Sequence, residues 1–395
     1  MKLGLITMVR DEIDIIALFL SHIDALFDFV WIVDHQSQDG TSELLKKAAS
    51  EHPTWFYHFL EAKTKMHAAV SNFMLPLAFQ QDIDYLFFLD ADEFIQIHSK
   101  EALQGILTSF EDLPGTRYLQ WKNCIPDSFS DTPFNLQSRL WIPPILSTHR
   151  KIIVSRKIYE KYAGHLKVST GNHVLSLQND KEIPGTGIGT LYHIPIRSRQ
   201  QAICKVIRTV IAYRGYRVRK NGESFQYYRM LEKIAADTVT DDDLRGFVVG
   251  FEDPAQELFK LSIPDLQQLD YQMITLKQTE IAASNEFAVD LAIVPVPFEK
   301  MIAYALYDLE VNLSRDVSLE LKENILTVAG SDSNRDSVLP REKLERMNPE
   351  EIAFEIHGRD AQIKTLQQEL DYFRTSKKWL LFQVIKNILY KTKQQ

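Results

Sequence analysis

Two acidic residues separated by one alanine, Asp90 and Asp92, directly follow a short apolar run at residues 86–89. Carboxylates at the end of a buried strand can hold a hard divalent cation, Mg²⁺ or Mn²⁺, and leave coordination positions open for substrate phosphates. The alternative is a solvated loop whose acids cap the next helix. The position at a strand end favours a metal site with Asp90 and Asp92 as candidate ligands.

Two more polar clusters contain the residue types of a nucleotide site. Residues 34–41 include Asp34 and Asp39, and a carboxylate at Asp34 could accept hydrogen bonds from a base or a ribose. Residues 8–12 include Arg10, whose guanidinium could balance a diphosphate. Each has a plainer alternative, since Asp39 can belong to a turn before a helix and Arg10 can be an ordinary exposed arginine.

The elements that must position these clusters alternate between strand-like and helix-like patterns. Apolar runs predict strands at residues 3–9, 29–33, 55–60 and 85–89, and helical spacing predicts helices at 11–25, 42–50 and 65–80. This alternation favours an α/β domain with a mainly parallel sheet, in which ligands bind at the carboxyl ends of the strands. The three polar clusters fall at those ends.

The rest of the chain divides into regions of different character. Residues 117–196 are broken by prolines and glycines, and we expect loops and short strands laid over one edge of the sheet. A helical region follows, and then a polar stretch typical of a linker. The last part carries about three heptads, which indicate a short coiled coil. We therefore predict four units: a nucleotide-binding domain at 1–210, a helical extension at 211–311, a linker at 312–350 and a C-terminal helical tail at 351–395.

The composition excludes several classes of protein. The chain has 395 residues, 45% hydrophobic and 25% charged, which excludes whole-chain disorder and fibrous repeats. Its formal charge of −8 argues against a general nucleic-acid binder. Two cysteines are too few for a disulfide framework, so the simplest compartment is a reducing cytoplasm. No transmembrane helix and no cleavable signal peptide is expected, because the apolar runs are too short.

The C-terminal tail has a local charge opposite to that of the whole chain. Residues 371–395 carry six basic side chains against one acid, interleaved with apolar residues. This pattern suits an amphipathic helix on anionic lipid, with peripheral attachment at the inner face of a membrane. The same apolar residues could instead pack on preceding helices or form a dimeric coiled coil, which would make the protein a homodimer.

The three clusters together resemble a family 2 glycosyltransferase with a GT-A fold, which is Rossmann-like and binds nucleotide-sugars. The resemblance rests on residues 7–12, on Asp34-x-x-Ser37-x-Asp39-Gly40-Thr41 and on residues 88–94, FLDADEF. More narrowly, the chain resembles the branch in which the DxDEF motif is followed by a distal histidine segment, here residues 171–175 and 191–198. The resemblance covers about residues 1–210.

The resemblance implies transfer of a sugar from a nucleotide diphosphate donor with inversion at the anomeric carbon. Asp34 and Asp39 would contact the nucleoside, with Arg10 near the same pocket. Asp90 would face the ribose or the metal, and Asp92 would ligate the Mn²⁺ or Mg²⁺ ion that bridges both phosphates. Such an ion stabilises the charge that develops on the leaving diphosphate.

The distal segment supplies His193 as a candidate metal ligand or diphosphate contact; a structural histidine before a proline is the alternative. An inverting transfer also needs a base for the acceptor hydroxyl. The usual Glu-Asp pair is missing, so the candidates are Asp127, His173 and Asp131. Asp127 is preferred for its place in a loop after an apolar segment, although it could be a simple turn residue.

Basic residues offer further contacts to the donor. Lys151 could bind phosphate or belong to an exposed basic run. A longer basic stretch from Arg197 to Lys220 could attract an anionic donor or a membrane surface, and a solvated helix face is the default explanation.

Three functions remain open at this point. The first is a glycosyltransferase acting on a carbohydrate or lipid-linked acceptor in surface polysaccharide or glycolipid synthesis. The second is a sugar-phosphate nucleotidyltransferase, which is disfavoured because no glycine-rich loop follows the first strand. The third is a non-catalytic scaffold that presents the C-terminal helices.

Overall fold

The computed structural model describes residues 1–61, 66–130, 134–214, 225–251 and 260–284. The helices in these ranges are α1 (Ile16–Leu26), α2 (Thr41–Glu51), α3 (His67–Ala78), α4 (Lys100–Ser109), α5 (Arg156–Lys161), α6 (Arg199–Arg214), α7 (Phe225–Ala235), α8 (Asp241–Val249) and α9 (Ile263–Gln268). The strands are β1 (Leu3–Val9), β2 (Phe29–Asp34), β3 (Trp55–Phe59), β4 (Tyr85–Phe88), β5 (Glu93–Ile95), β6 (Thr116–Asn123), β7 (Ile125–Pro126), β8 (Arg139–Ile142), β9 (Arg150–Ser155), β10 (Leu166–Val168), β11 (Leu175–Leu177), β12 (Gly185–His193) and β13 (Gln272–Thr275).

The centre of the protein is an eight-stranded sheet in the order β3-β2-β1-β4-β9-β6-β12-β5. Six strands run in one direction, while β9 and β5 are antiparallel to their neighbours. The predicted α/β class with a mainly parallel sheet is therefore confirmed. The first four strands and the three helices between them lie close to their predicted positions.

Helices cover both faces of this sheet because its strands are apolar on both sides. Leu3 and Leu5 of β1 pack in one core cluster with α1, α2 and α4. Ile6 points to the opposite face and packs in a second cluster that includes α3 and the hairpin β10–β11. This two-sided burial is the pattern expected of parallel strands. It leaves the ends of the strands as the place where polar side chains gather.

The expectation for residues 117–196 was wrong. Instead of lying over the sheet edge, this region supplies β6, β9 and β12, which are strands of the sheet itself. Several of its prolines lie outside these three strands: Pro126 follows β6, Pro143 precedes β9, and Pro184 precedes β12. Because β9 lies between β4 and β6, residues 150–155 lie beside residues 85–87 on one side and 117–120 on the other.

The helical region after the sheet is confirmed by α6 to α9, which pack around a third apolar cluster. Helix α6 continues across residue 210, the boundary drawn from the sequence. The chain then adds β13 to a small sheet with β8 and β7 and returns to the first core cluster, where Leu276 and Ile281 are fully buried. The predicted linker and C-terminal tail lie outside the described residues.

His22 of α1 fixes this returning segment to the sheet. Its Nδ1 donates to the carbonyl of Ala282 at 2.7 Å, and its Nε2 accepts from the backbone N–H of Ile95 at 2.9 Å. Burial lowers the pKa of His22 to about 4, so the ring is neutral and both ring nitrogens form hydrogen bonds.

None of the helices described here has the length and apolar composition of a membrane-spanning segment.

Candidate functional site

Polar side chains converge at one edge of the central sheet, where six strands end and two begin. Strands β1, β2, β3, β4, β6 and β12 have their carboxyl ends at this edge, and the antiparallel β5 and β9 start there. The residues placed there by these strands and the loops after them are Arg10, Asp34, Asp90, Asp92, Asn123, Lys151 and His193. This edge is where an open α/β sheet binds its ligands.

Asp90 is paired with a buried lysine. Lys151, the second residue of β9, places its Nζ 2.7 Å from Asp90 Oδ2 and 3.2 Å from Glu93 Oε2. The Lys151 side chain is only 1% exposed, whereas that of Asp90 is 25% exposed. Burial alone would raise the pKa of Asp90, but the Lys151 ammonium outweighs it and the pKa is lowered. Asp90 therefore presents an ionised carboxylate that is partly open to solvent.

Glu93 sits behind this pair and is completely buried. Burial raises its pKa well above the usual range, and Asp90 and Asp92 add to that effect, while Lys151 opposes it. Its Oε2 accepts a hydrogen bond from the backbone N–H of Asp90 at 3.0 Å. The third acid of the motif thus holds the loop that carries the other two.

Asp92 lies among three cationic or ionisable groups. Lys205 Nζ of α6 is 2.7 Å from Asp92 Oδ2, Arg197 Nη1 is 3.9 Å from the same oxygen, and His193 Nε2 is 3.9 Å from Oδ1. Although burial would raise the pKa of Asp92, the charges of Lys205 and Arg197 hold it well below its usual range. Asp92 is therefore ionised at any physiological pH.

The register of β12 explains why His193 reaches Asp92. His193 pairs with Asn123 of β6 on one side and with Glu93 of β5 on the other. The backbone N–H of Ile194 donates to the Asp92 carbonyl at 2.9 Å. The last residue of β12 is thereby fixed beside the DxD motif, about a hundred residues away in the sequence.

The orientation of the His193 ring is set by Asn123 and Trp121. Nδ1 donates to Asn123 Oδ1 at 2.6 Å, and the ring stacks on Trp121 with centroids 4.1 Å apart. Burial lowers the pKa of His193 to about 3, so the ring is neutral and the lone pair lies on Nε2, the atom that faces Asp92. A histidine held through its other nitrogen in this way is typical of a metal ligand.

This pair fits a divalent ion with two protein ligands. Two ligands that each lie about 2.1 Å from one ion are about 3–4 Å apart, and Asp92 Oδ1 and His193 Nε2 are separated by 3.9 Å. Within the described ranges, no three His, Cys, Asp or Glu side chains form a group that could hold an ion. An ion held by this pair would keep coordination positions open for phosphate oxygens and water.

Arg197 joins the start of the chain to the distal segment. It makes a bidentate contact with Asp14, with Nε–Oδ2 at 2.7 Å and Nη2–Oδ1 at 2.9 Å, and it also pairs with Glu12. The Arg197 side chain is 2% exposed. Burial raises the pKa of Glu12 to about 7, against the opposing charges of Arg197 and Lys205. Arg197 was expected on a solvated face, and the structure instead buries it.

Asp34 is engaged within its own loop. It is fully buried, its Oδ1 accepts from the Ser37 backbone N–H at 2.9 Å, and its Oδ2 accepts from Tyr57 at 2.8 Å and from Ser42. Asp39 is also buried and accepts backbone N–H bonds from Ile13 at 3.1 Å and Thr41 at 3.0 Å. Both acids therefore shape the loops after β1 and β2.

The loop after β1 is also joined to α6. Asp11 has a left-handed backbone, with φ of 55°, and its Oδ1 accepts from the Gln38 backbone N–H at 2.7 Å. Its Oδ2 pairs with Arg208 and lies 3.5 Å from Arg10 Nε. Arg10, predicted from the sequence, thus borders the same edge.

The two base candidates lie in different surroundings. His173 packs edge-on against Trp121 at 5.1 Å, and its Nδ1 donates to the Arg150 carbonyl at 2.8 Å. Asp127 accepts from Trp141 Nε1 at 3.2 Å and pairs with Arg139, in the small sheet of β7 and β8. The structure brings His173 to the Trp121–His193 stack, whereas the described contacts of Asp127 are all with its own hairpin. Asp131 lies outside the described residues.

Several residues of the site were missed as such from the sequence. Asn123 gives no signal in the sequence, and its role follows only from the pairing of β6 with β12. Lys205 and Arg208 were part of the basic stretch, and their spacing of three residues on one helix could have indicated a shared face. His149, which stacks on Trp121 at 5.2 Å, has no partner close to it in the sequence that could have identified it.

Comparisons with known proteins give only distant similarity. No family model and no curated protein matches the sequence. Among solved structures the chain is similar to TarS of S. aureus, at 12% identity and a TM-score of 0.31, over 79% of this chain and 54% of TarS. The chain thus spans about half the length of TarS. It is also similar to the mannosyltransferase PcManGT from Pyrobaculum calidifontis in complex with GDP-Man and Mn²⁺, at 13% identity and a TM-score of 0.32, over 84% of this chain and 81% of that one.

The ion pairs of Arg197 should be strongly stabilising as a unit. In Arg197→Met, Asp14 and Glu12 would lose their counterion, and we expect the free energy of unfolding to fall by about 3 kcal/mol. The value lies at the low end for a broken buried pair because Glu12, with its raised pKa, can take up a proton. Urea denaturation measures the change. Lys157→Met, which removes an exposed pair with Glu111, is the control and should behave as wild type; an equal effect of both variants would contradict the structural role of Arg197.

Proposed function

We propose that this protein is an inverting, metal-dependent glycosyltransferase that moves a sugar from a nucleotide-diphosphate-sugar to a hydroxyl acceptor. The observation that carries the proposal is the pairing of Asp92 with a neutral His193 whose Nε2 faces the carboxylate, held there by Asn123. Together with the DxDEF motif and the nucleoside-loop pattern, this pair suits a Mn²⁺ or Mg²⁺ ion bound with a diphosphate. The ion would supply stabilisation of the charge on the leaving diphosphate.

The surrounding residues support the binding of a donor at this edge. Asp90 remains ionised and partly exposed, so its carboxylate suits a ribose hydroxyl. Lys151 keeps Asp90 in place. Asp34 and Asp39 shape the loop against which a nucleoside would lie, and Arg10 adds a positive charge beside it. The roles of Asp90 and Arg10 are those that the family resemblance implies, whereas Asp34 and Asp39 would act on the nucleoside through the loop.

His173 is our choice for the group that accepts the proton of the acceptor hydroxyl. Its Nδ1 donates to a carbonyl, which leaves the lone pair on Nε2. Burial and then Lys151 lower its pKa to about 4, so it is neutral near pH 7. Gly171 makes room for the ring: its φ is 75°, and a Cβ there would lie 2.4 Å from His173 Nε2.

The acceptor in this proposal is a carbohydrate or a lipid-linked sugar of a surface polysaccharide or glycolipid. A lipid-linked acceptor would account for the basic, apolar C-terminal tail, because such a tail suits attachment to an anionic membrane. The protein would then work in the cytoplasm, at the inner face of that membrane.

The metal site is tested by Asp92→Asn. The amide keeps the shape of the side chain but loses its charge, so we expect transfer and Mn²⁺-dependent nucleotide binding to be lost in a folded protein. A thermal-shift panel of UDP-, GDP-, dTDP- and CMP-sugars, with and without Mn²⁺, measures binding because a ligand raises apparent stability. Asp82→Asn, at an exposed acid that pairs with Lys2, is the control. Full, metal-independent transfer by Asp92→Asn would exclude the site.

The base is tested by comparing two variants. His173→Asn should lower kcat by about a hundredfold or more, the usual contribution of a positioned base, while Asp127→Asn should retain wild-type kcat. A base must be neutral to accept a proton, so wild-type activity should persist down to the low pKa of His173 and be lost as the pH falls through about 4. The reverse order of the two variants would assign the base to Asp127 instead.

A further inference from the structure

Lys205 pairs with one carboxylate oxygen of Asp92, Oδ2, while the other, Oδ1, faces His193. Its Nζ lies 2.7 Å from Asp92 Oδ2 and 3.0 Å from the carbonyl of Pro195. A buried, ionised carboxylate without a counterion is strongly destabilising, so Lys205 stabilises Asp92 as long as nothing else neutralises it. A divalent ion on the same carboxylate would place two like charges next to each other, and their repulsion favours movement of the ammonium away from Asp92.

Three cations contact the DxD motif in the described part of the chain, Lys151, Arg197 and Lys205, and Lys205 is the least tightly held of them. Lys151 is wedged between two carboxylates and is 1% exposed. Arg197 is 2% exposed and is held by the bidentate contact with Asp14. Among the described residues, Lys205 forms an ion pair with one carboxylate, and its side chain is 23% exposed. A lysine is also a flexible point charge, which can change partner by rotating its four-carbon stem.

Helix α6 keeps Lys205 at the site during such a movement. Arg208, three residues further along α6, pairs with Asp11 on the loop after β1. The helix is therefore fixed to the same edge of the sheet, and only the end of the Lys205 side chain needs to move. The negatively charged diphosphate of a donor bound with the ion would offer the ammonium a new partner.

We propose that Lys205 is an exchangeable cation: it neutralises Asp92 in the absence of donor and moves to the donor diphosphate when a divalent ion takes the carboxylate. This inference rests on the proposed function and adds a rule for the order of binding. The metal alone competes with Lys205 and binds weakly, whereas metal and nucleotide diphosphate together give the lysine a new partner and bind tightly. The binding affinities for metal and for nucleotide are thereby coupled through one side chain.

The test measures Mn²⁺ affinity of the full chain by electron paramagnetic resonance of the free ion. It is done without nucleotide and with saturating UDP or GDP, whichever raises the melting temperature of the wild type more. The neutral variants are Lys205→Met and Lys205→Gln, which guard against a folding defect specific to one side chain, and Lys205→Arg retains the charge. Lys233→Met is the matched control, because Lys233 also pairs with a buried aspartate, Asp243, in another part of the fold.

Without nucleotide, we expect the two neutral variants to bind Mn²⁺ at least about tenfold more tightly than the wild type, since the competing charge is gone. The increase in Mn²⁺ affinity caused by nucleotide should shrink by a similar factor. Lys205→Arg and Lys233→Met should resemble the wild type. Equal or weaker nucleotide-free Mn²⁺ binding by both neutral variants overturns the exchange, and if the wild type still binds Mn²⁺ with nucleotide, the proposed function stands. No Mn²⁺ binding by any of the proteins, with or without nucleotide, overturns both.

Discussion

The site depends on ion pairs between acidic and basic side chains that are buried or half-buried at one edge of the sheet. Five carboxylates gather there, Glu12, Asp14, Asp90, Asp92 and Glu93, and three cations from distant parts of the chain meet them: Lys151, Arg197 and Lys205. Removing one partner from such a cluster leaves a charge without compensation, which costs far more than an exposed pair contributes. The same ion pairs that shape the candidate ligand site therefore also contribute to the stability of the fold.

Unequal charge states keep this cluster balanced. Burial raises the pKa of Glu12 and of Glu93, while the neighbouring cations lower that of Asp92 and Asp90. The two aspartates of the DxD motif thus stay ionised, and the two glutamates can be neutral. Asp90 and Asp92 therefore carry the negative charge at the edge where a ligand would bind, whereas Glu12 and Glu93 stabilise the surrounding loops.

The sequence was sufficient for the parts of the fold with local signals. The alternation of strands and helices predicted the first half of the sheet, and with it the meeting of Arg10, Asp34, Asp90 and Asp92 at one edge. It failed for the second half because β9 and β12 join the sheet through long-range pairing. The place of Lys151 depends on β9 lying between β4 and β6, and Arg197 meets Asp14 across 183 positions. No periodicity in the sequence records such contacts, and so the basic stretch was assigned to solvent.

The most direct measurement of the central claim is the position of Mn²⁺ by anomalous X-ray scattering in crystals grown with the nucleotide-sugar that stabilises the protein most. Our account predicts one ion within about 2.3 Å of both a carboxylate oxygen of Asp92 and Nε2 of His193, with donor phosphates completing its coordination. An ion bound elsewhere, or a nucleotide-sugar bound at this edge with no ion between Asp92 and His193, would contradict it.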